Sequence, residues 1–126
     1  MCLILDKDSI EMITHVDIVA YKVVERVRTR IEKSDVLYRS PFYRFDYQTD
    51  LTYCSLLSLS HNFSGEQTIE NGFHSYVHLK DAKRNVGPLG VVVKCIIPAG
   101  AEFYEGRGFD GTPQYASNKI IIKEEV

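Results

Sequence analysis

The chain has no tryptophan, only three cysteines and four prolines, and no large excess of either charge. Its 15 basic and 17 acidic side chains give no overall attraction to long nucleic acids or anionic lipid surfaces. No apolar run approaches the roughly 20 residues that a membrane-spanning helix needs. With 44% hydrophobic residues, the composition is too apolar for a disordered protein. We therefore expect a single domain, residues 1–126, with neither a membrane nor a long nucleic acid as partner.

The cysteines and the first ten residues indicate the compartment. Cys2, Cys54 and Cys95 are odd in number and far apart, which is typical of reduced thiols rather than of a disulfide framework. The N-terminal residues include early acidic side chains and no preceding basic segment, so we expect no signal peptide. Both observations favour a cytoplasmic protein.

Segments rich in β-branched residues and bounded by turn residues predict several strands. The clearest is GVVVKCII at 90–97, between Gly-Pro and Pro-Ala-Gly, and we expect both of its faces to be buried. The other expected strands are 17–24, 72–77, 101–105 and 119–123, while 51–59 fits a strand or a helix.

Helical patterns are fewer and shorter. Residues 77–85 predict a short helix with Leu79, Ala82 and the following Val86 on one side, and 9–14 predict another turn or two. Residues 23–33 fit either spacing, and we favour a strand that continues into an arm or hairpin. The predicted class is α+β, with a mixed or mainly antiparallel sheet and a few short helices.

Two small motifs have competing interpretations. Residues 106–111 read GRGFDG, but too little chain follows for the βαβ unit of a dinucleotide site, so this is a turn between strands or a loop in which Arg107 closes over a phosphate. His74 and His78 are four residues apart, yet no carboxylate or Cys accompanies them at ligand spacing, and we expect neither a metal nor a cofactor. His74, beside Ser75 and Tyr76, is either a half-buried structural residue or part of a polar ligand pocket.

A stretch from Lys22 to Arg44 combines basic side chains with aromatic rings in its second half. Guanidinium groups pair with phosphates and flat rings stack on bases, so this composition favours a nucleotide. The alternative is a solvated charged arm followed by aromatic core residues. Elsewhere no G-x-S-x-G or Cys-centred signature points to hydrolysis, so we do not expect hydrolysis and favour binding over catalysis, which stays open.

The phrases DIVAYKVV, YRSPF, NGFHSYVHLKDAKRN, VVVKCIIPAGAEFYEG and YASNKIIIKEE together resemble small uncharacterised proteins of bacteriophages and gut bacteria. That resemblance covers most of the chain. If a phage encodes the protein, its compartment is the host cytosol.

The chain also resembles the ADP-ribosyltransferase-like fold. The matching features are the Tyr21-Lys22 pair on an early strand, the FHSY segment 73–76 followed by a helix with Ala82, and a strand ending in Pro-Ala-Gly at 98–100. The family's catalytic Glu comes just before or within the last strand, where residues 115–119 contain none, and Lys22 replaces the more usual Arg. The resemblance therefore implies a nucleotide-shaped pocket without the carboxylate that transferase chemistry needs.

We predict non-catalytic binding of a small nucleotide-type ligand, such as a cyclic nucleotide or an ADP-ribose-derived immune signal, by a homo-oligomeric phage sponge that counters host defence. Lys22, Arg39, Arg44 and Arg107 are predicted to pair with phosphates. Tyr43 and Tyr76 are predicted to stack on a base, and His74 to hydrogen-bond to ribose or base. The alternatives are a divergent ADP-ribosyltransferase-like or nucleotide-cleaving enzyme, and a protein-interaction module acting on a host or phage partner.

Overall fold

The computed structural model describes residues 3–6, 9–27, 37–40, 46–61 and 63–126. The described strands in chain order are β1 (Leu3–Ile4), β2 (Met12–Ile13), β3 (Ile18–Val27), β4 (Leu37–Arg39), β5 (Asp46–Gln48), β6 (Thr52–Cys54), β7 (Ser60–His61), β8 (Gln67–Ile69), β9 (Phe73–Tyr76), β10 (Gly90–Ile97), β11 (Glu102–Arg107), β12 (Pro113–Ser117) and β13 (Lys119–Glu125). One helix, α1 (Leu79–Asn85), lies in the described part of the chain.

The predicted α+β class is wrong, because the fold is a β-rich, mostly antiparallel sheet with a single short helix among the described residues. Residues 9–14, predicted to be helical, contain β2, whose Met12 and Ile13 pair with Phe103 and Glu102 of β11. A helix of one or two turns is unstable alone, whereas pairing with β11 satisfies the backbone donors and acceptors of this segment.

One sheet runs in the order β6-β13-β10-β3-β9-β12-β11-β1-β8-β7, with β2 added to β11 and the β4–β5 pair added to β3. Every pairing between these strands is antiparallel. An isolated bridge between Thr49 and Ile122, with a hydrogen bond from the Asp50 amide to the Ile122 carbonyl, connects the end of β5 to β13. The strands β3, β4, β5, β13 and β10 thereby form a closed ring of backbone pairing.

The main core lies inside this ring. Val24 of β3 and Val93, Cys95 and Ile97 of β10 are fully buried there, and Tyr38 of β4 is nearly so. Lys22 pairs with Val93, so alternation along β3 places its side chain on the same interior face. The position of β10 between β3 and β13 confirms the expected central strand. The expectation of two buried faces is met only in part, because Lys94 and Ile96 on the face opposite the core are partly exposed.

The opposite face of β3 and β10 is covered by α1. Ala82 is fully buried against Val92, and Tyr21, Val23 and Leu79 pack around it. The helix ends at Asn85, shortly before the Gly87-Pro88 turn, because proline cannot continue a helix. Within the described residues, no helix is long and apolar enough to cross a bilayer.

The sheet divides where β3 changes partner along one edge. Tyr21 pairs with Tyr76 of β9, but Glu25 already pairs with Arg39 of β4. If the first register continued, Val23 would lie opposite His74. Instead the strands separate after one pair and leave a gap, called here the fork, between residues 22–25 of β3 and the beginning of β9.

Candidate functional site

A cavity of about 870 Å³ occupies the fork. This volume lies in the range of small-molecule and cofactor sites. Its walls come from β3, from the ends of β4, β5 and β6, from the segment that enters β9, and from the turn after α1. Its polar and aromatic lining side chains include Lys22, Glu25, Tyr47, Glu70, Asn71, Phe73, His74 and Tyr76.

The ammonium group of Lys22 bridges the gap between the separated strands. Its Nζ donates to the backbone carbonyl of His74 at 2.7 Å. In a continuous ladder, a backbone amide of β3 would satisfy this edge of β9, so the lysine side chain replaces a missing backbone donor. The residue is therefore positioned by the departure of β3 from β9.

The charge of Lys22 is poorly solvated. Burial lowers the pKa of its amine to about 8, although the thiol of Cys95 acts weakly in the opposite direction. Among the residues that the structure describes, no Asp or Glu forms an ion pair with Lys22. Its Nζ lies 5.9 Å from the centre of the Tyr47 ring, which offers a modest cation–π attraction. An anionic ligand group would supply the counter-charge that these residues do not.

His74 lines the cavity as a neutral base. Its Nε2 lies 3.0 Å from the Asn71 carbonyl oxygen, and because that oxygen can only accept, Nε2 carries the proton. Burial and the neighbouring Lys22 lower the His74 pKa to about 4, so Nδ1 is an unprotonated acceptor at neutral pH. This buried Nδ1 has no hydrogen-bond partner within the described ranges. The atom has almost no exposed surface, so a ligand hydroxyl or amino group donates to it only if a neighbouring side chain moves aside.

The aromatic rings of Tyr47, Phe73 and Tyr76 line the cavity beside these polar groups. Tyr47 and Phe73 meet edge to face, with centroids 6.2 Å apart, and Tyr53 packs on the other side of Tyr47 at 5.3 Å. Tyr76 is largely buried between the fork and α1, where it contacts the cluster around Ala82. The rings give the cavity rigid apolar walls, and burial raises the pKa of Tyr47, so its hydroxyl stays protonated.

Of the seven predicted site residues, Lys22, His74 and Tyr76 line the cavity. Arg39 instead pairs with Asp46 across β4 and β5. Tyr43 and Arg44 lie outside the described residues.

Arg107 is also placed away from the cavity, where its guanidinium pairs with Asp6 at 2.9 Å. The GRGFDG segment joins β11 to β12, as its interpretation as a turn expects. Within it Asp110 accepts from the amide and the hydroxyl of Thr112. The Thr112 amide is thus already bound by the Asp110 carboxylate, whereas a phosphate-binding loop needs backbone amides that are free to donate to the phosphate.

Sequence reasoning missed several lining residues. Glu25 belongs to the basic and aromatic stretch and Tyr47 follows it closely, but neither was assigned a role, and nothing marked Glu70, Asn71 or Phe73. A usable signal was the polar ENG segment at 70–72 directly before a buried strand, because such residues at a strand end often face a site. No cluster of three or more His, Cys, Asp or Glu side chains suited to a metal ion occurs in the described part of the chain.

Comparison of the chain with protein-family models, with curated proteins and with solved structures finds no match. The cavity in the fork is therefore the main evidence for the function.

Proposed function

We propose that this protein binds a small nucleotide-type ligand in the fork and holds it without converting it. The observation that carries the proposal is that one cavity is lined by a half-buried Lys22, which has no acidic partner among the described residues, and by His74, whose Nδ1 has no hydrogen-bond partner among them. A nucleotide offers the matching groups, since its phosphate attracts the amine and its ribose hydroxyls or base amino groups donate to Nδ1 once a neighbouring side chain moves aside.

The aromatic walls support the same ligand class. Tyr47, Phe73 and Tyr76 provide ring faces or edges against which a base or ribose can pack. The single described lysine in the cavity and the two carboxylates at its border, Glu25 and Glu70, favour a ligand of low charge, such as a cyclic mononucleotide or an ADP-ribose derivative, over a triphosphate.

Sequestration is favoured over turnover by the partners of the reactive groups. Among the described lining residues, no Ser or Cys hydrogen-bonds to His74, whose ring is committed to the Asn71 carbonyl. Together with the resemblance to phage proteins, this supports a sponge that removes an immune messenger from the host cytosol. A homo-oligomer is part of this proposal, and native mass spectrometry of the purified protein tests it.

Binding is tested by calorimetry with cyclic AMP, ADP-ribose and NAD, followed by heat release and mass spectrometry of the ligand. We expect at least one to bind and to be recovered intact, and Lys22→Met to weaken it by about tenfold or more through the loss of a charged hydrogen bond. Lys94→Met is the matched control, because Lys94 pairs with Glu124 outside the cavity lining. No binding by any of the three, or equal loss in both variants, would contradict the proposal.

A divergent transferase or nucleotide-cleaving enzyme is the second candidate. The supporting observation is that Glu25 and Glu70 both line the cavity, so a carboxylate from another strand could orient a ribose although residues 115–119 contain none. Recovery of nicotinamide or another product in the heat-release experiment, lost in Glu25→Gln or Glu70→Gln, would favour this enzyme over the sponge.

A further inference from the structure

The Lys22 amine is placed as a nucleophile as well as a cation. Within the described part of the chain, its only hydrogen bond is the 2.7 Å contact to the His74 carbonyl. When the amine is neutral, one N–H serves that carbonyl and the lone pair is not used by it. Since Lys22 lines the cavity, a ligand held there can reach the same nitrogen.

Burial lowers the pKa of the Lys22 amine and so favours its neutral form. The nearby titratable groups are His74 from β9, Cys95 from β10, Tyr47 from β5, and Glu25 and Glu70 of the cavity lining. Burial keeps the imidazole, the thiol and the phenol uncharged at neutral pH, since it lowers the pKa of His74 and raises the pKa values of Cys95 and Tyr47. Neither carboxylate forms an ion pair with Lys22 in the described residues. The site therefore lacks the close counter-charge that would hold the proton on the amine.

We infer that Lys22 captures aldehydes as an imine, and that the ligand class extends to sugar phosphates and nucleotide-linked sugars with a free reducing end. This inference rests on the proposed function for the choice of ligand, because it uses the same cavity. A reducing ribose opens to an aldehyde, whereas a cyclic nucleotide has no carbonyl carbon that an amine can condense with in this way.

The reaction is an ordinary condensation of a primary amine with an aldehyde, which releases one water molecule. The Nζ lone pair forms a bond to the aldehyde carbon and gives a carbinolamine after proton transfer. The carbinolamine hydroxyl then takes up a proton from solvent and leaves as water, so that a protonated imine remains. Its N–H still donates to the His74 carbonyl, and its positive charge stays where the ammonium charge was. A phosphate on the same ligand therefore keeps its electrostatic partner.

The neutral form is abundant enough for this chemistry. With a pKa of about 8, the amine is neutral about 300 times more often at pH 7 than an amine with the ordinary lysine value of 10.5. Aldehyde capture by neutral, desolvated lysines is the usual route to protein Schiff bases.

The test uses ribose 5-phosphate with cyanoborohydride, which reduces the imine to a stable secondary amine that peptide mass spectrometry can locate. We expect Lys22 to be labelled at least about tenfold faster than Lys94 and Lys123, whose amines pair with Glu124 and Asp50. Lys22→Arg keeps the charge and should abolish labelling at position 22, because a guanidinium does not condense with the aldehyde as a neutral amine does. Excess cyclic AMP should protect Lys22 if both ligands share the cavity.

The outcomes separate the two proposals. Labelling of Lys22 no faster than of Lys94 and Lys123, in protein that binds cyclic AMP or ADP-ribose, overturns imine capture and leaves the nucleotide site intact. Fast labelling of Lys22 in protein that binds none of the nucleotides supports the nucleophile and removes the nucleotide function. Labelling that persists at the same total level in Lys22→Arg overturns the assignment to Lys22.

Discussion

Replacing Lys22 by methionine is expected to remove a pH dependence from the free energy of unfolding. The amine has a pKa of about 8 in the folded protein and of 10.5 when exposed. Between these values the unfolded chain binds the proton and the folded chain does not, so wild-type stability rises with pH through this window and is lowest below pH 8. Methionine has a similar length and no proton to bind.

The magnitude follows from the two pKa values. Burying the charged amine costs about 3 kcal/mol at pH 7, and about 2 kcal/mol of this disappears by pH 9.5 as the folded-state amine stays neutral. Loss of the hydrogen bond to the His74 carbonyl costs about 1–3 kcal/mol in the variant at either pH. Lys22→Met should thus be as stable as the wild type or up to about 2 kcal/mol more stable at pH 7.

Urea unfolding at pH 7.0 and pH 9.5 measures the effect. We expect the stability advantage of Lys22→Met over the wild type to shrink by about 2 kcal/mol between the two conditions. Tyrosines and thiols that titrate near pH 9.5 are common to both proteins and cancel in the difference. Lys94→Met, which removes a half-exposed lysine on the neighbouring β10, should show a nearly constant difference.

A difference between Lys22→Met and wild type that stays constant within about 0.5 kcal/mol would refute the reasoning, because it would show that the folded protein solvates the Lys22 charge as well as water does. The predicted result has a functional meaning. A lysine that lowers stability at neutral pH is explained by ligand binding rather than by packing, so the stabilised variant should also be the one that loses ligand.

Three further substitutions test other parts of the structure. We expect the wild-type free energy of unfolding, measured by urea titration, to fall by about 3 kcal/mol between pH 7 and pH 4, because His74 has a pKa near 4 when folded and 6.5 when exposed, so the unfolded chain takes up the proton first. His74→Gln should abolish this fall. An unchanged acid slope would contradict the buried neutral ring. Gly106→Ala should cost about 1–3 kcal/mol by thermal unfolding, because its Cβ would lie 2.5 Å from a backbone carbonyl of β1. Gly87→Ala, with open space around it, is the control, and equal midpoints would argue against the close packing. Arg39→Ala should change nucleotide affinity by less than about twofold in calorimetry, since the guanidinium pairs with Asp46; tenfold weaker binding would place it in the site.

Local patterns predicted the elements whose own residues carry a strong periodic or β-branched signal. The β-branched run at 90–97 forms β10 with those same bounds, and the helix expected at 77–85 forms over Leu79–Asn85. The prediction of a helix at residues 9–14 was wrong because the structure of this segment depends on β11, about 90 residues away in the chain. The single helix in the described part of the chain is too little for the α+β class.

The candidate site could be predicted only in part, since it arises from pairing between distant segments. Lys22 and His74 were recognised by side-chain chemistry, but their contact depends on β3 leaving β9 after Tyr21, which no local pattern encodes. Arg39 and Arg107 do not line the cavity and each pairs with a carboxylate, which a count of basic residues does not reveal.

The fork makes β3 a shared boundary between two parts of the sheet. Tyr21 pairs with β9, residues 25–27 pair with β4, and only residues 22–24 lie between the two pairings. Any change in the angle between the two sides must therefore appear as a twist of these three residues, because β10 pairs with them along the other edge. The backbone amides of residues 22–24 would thus report the width of the cavity, and their NMR shifts would distinguish a ligand that spreads the strands from one that fits between them unchanged.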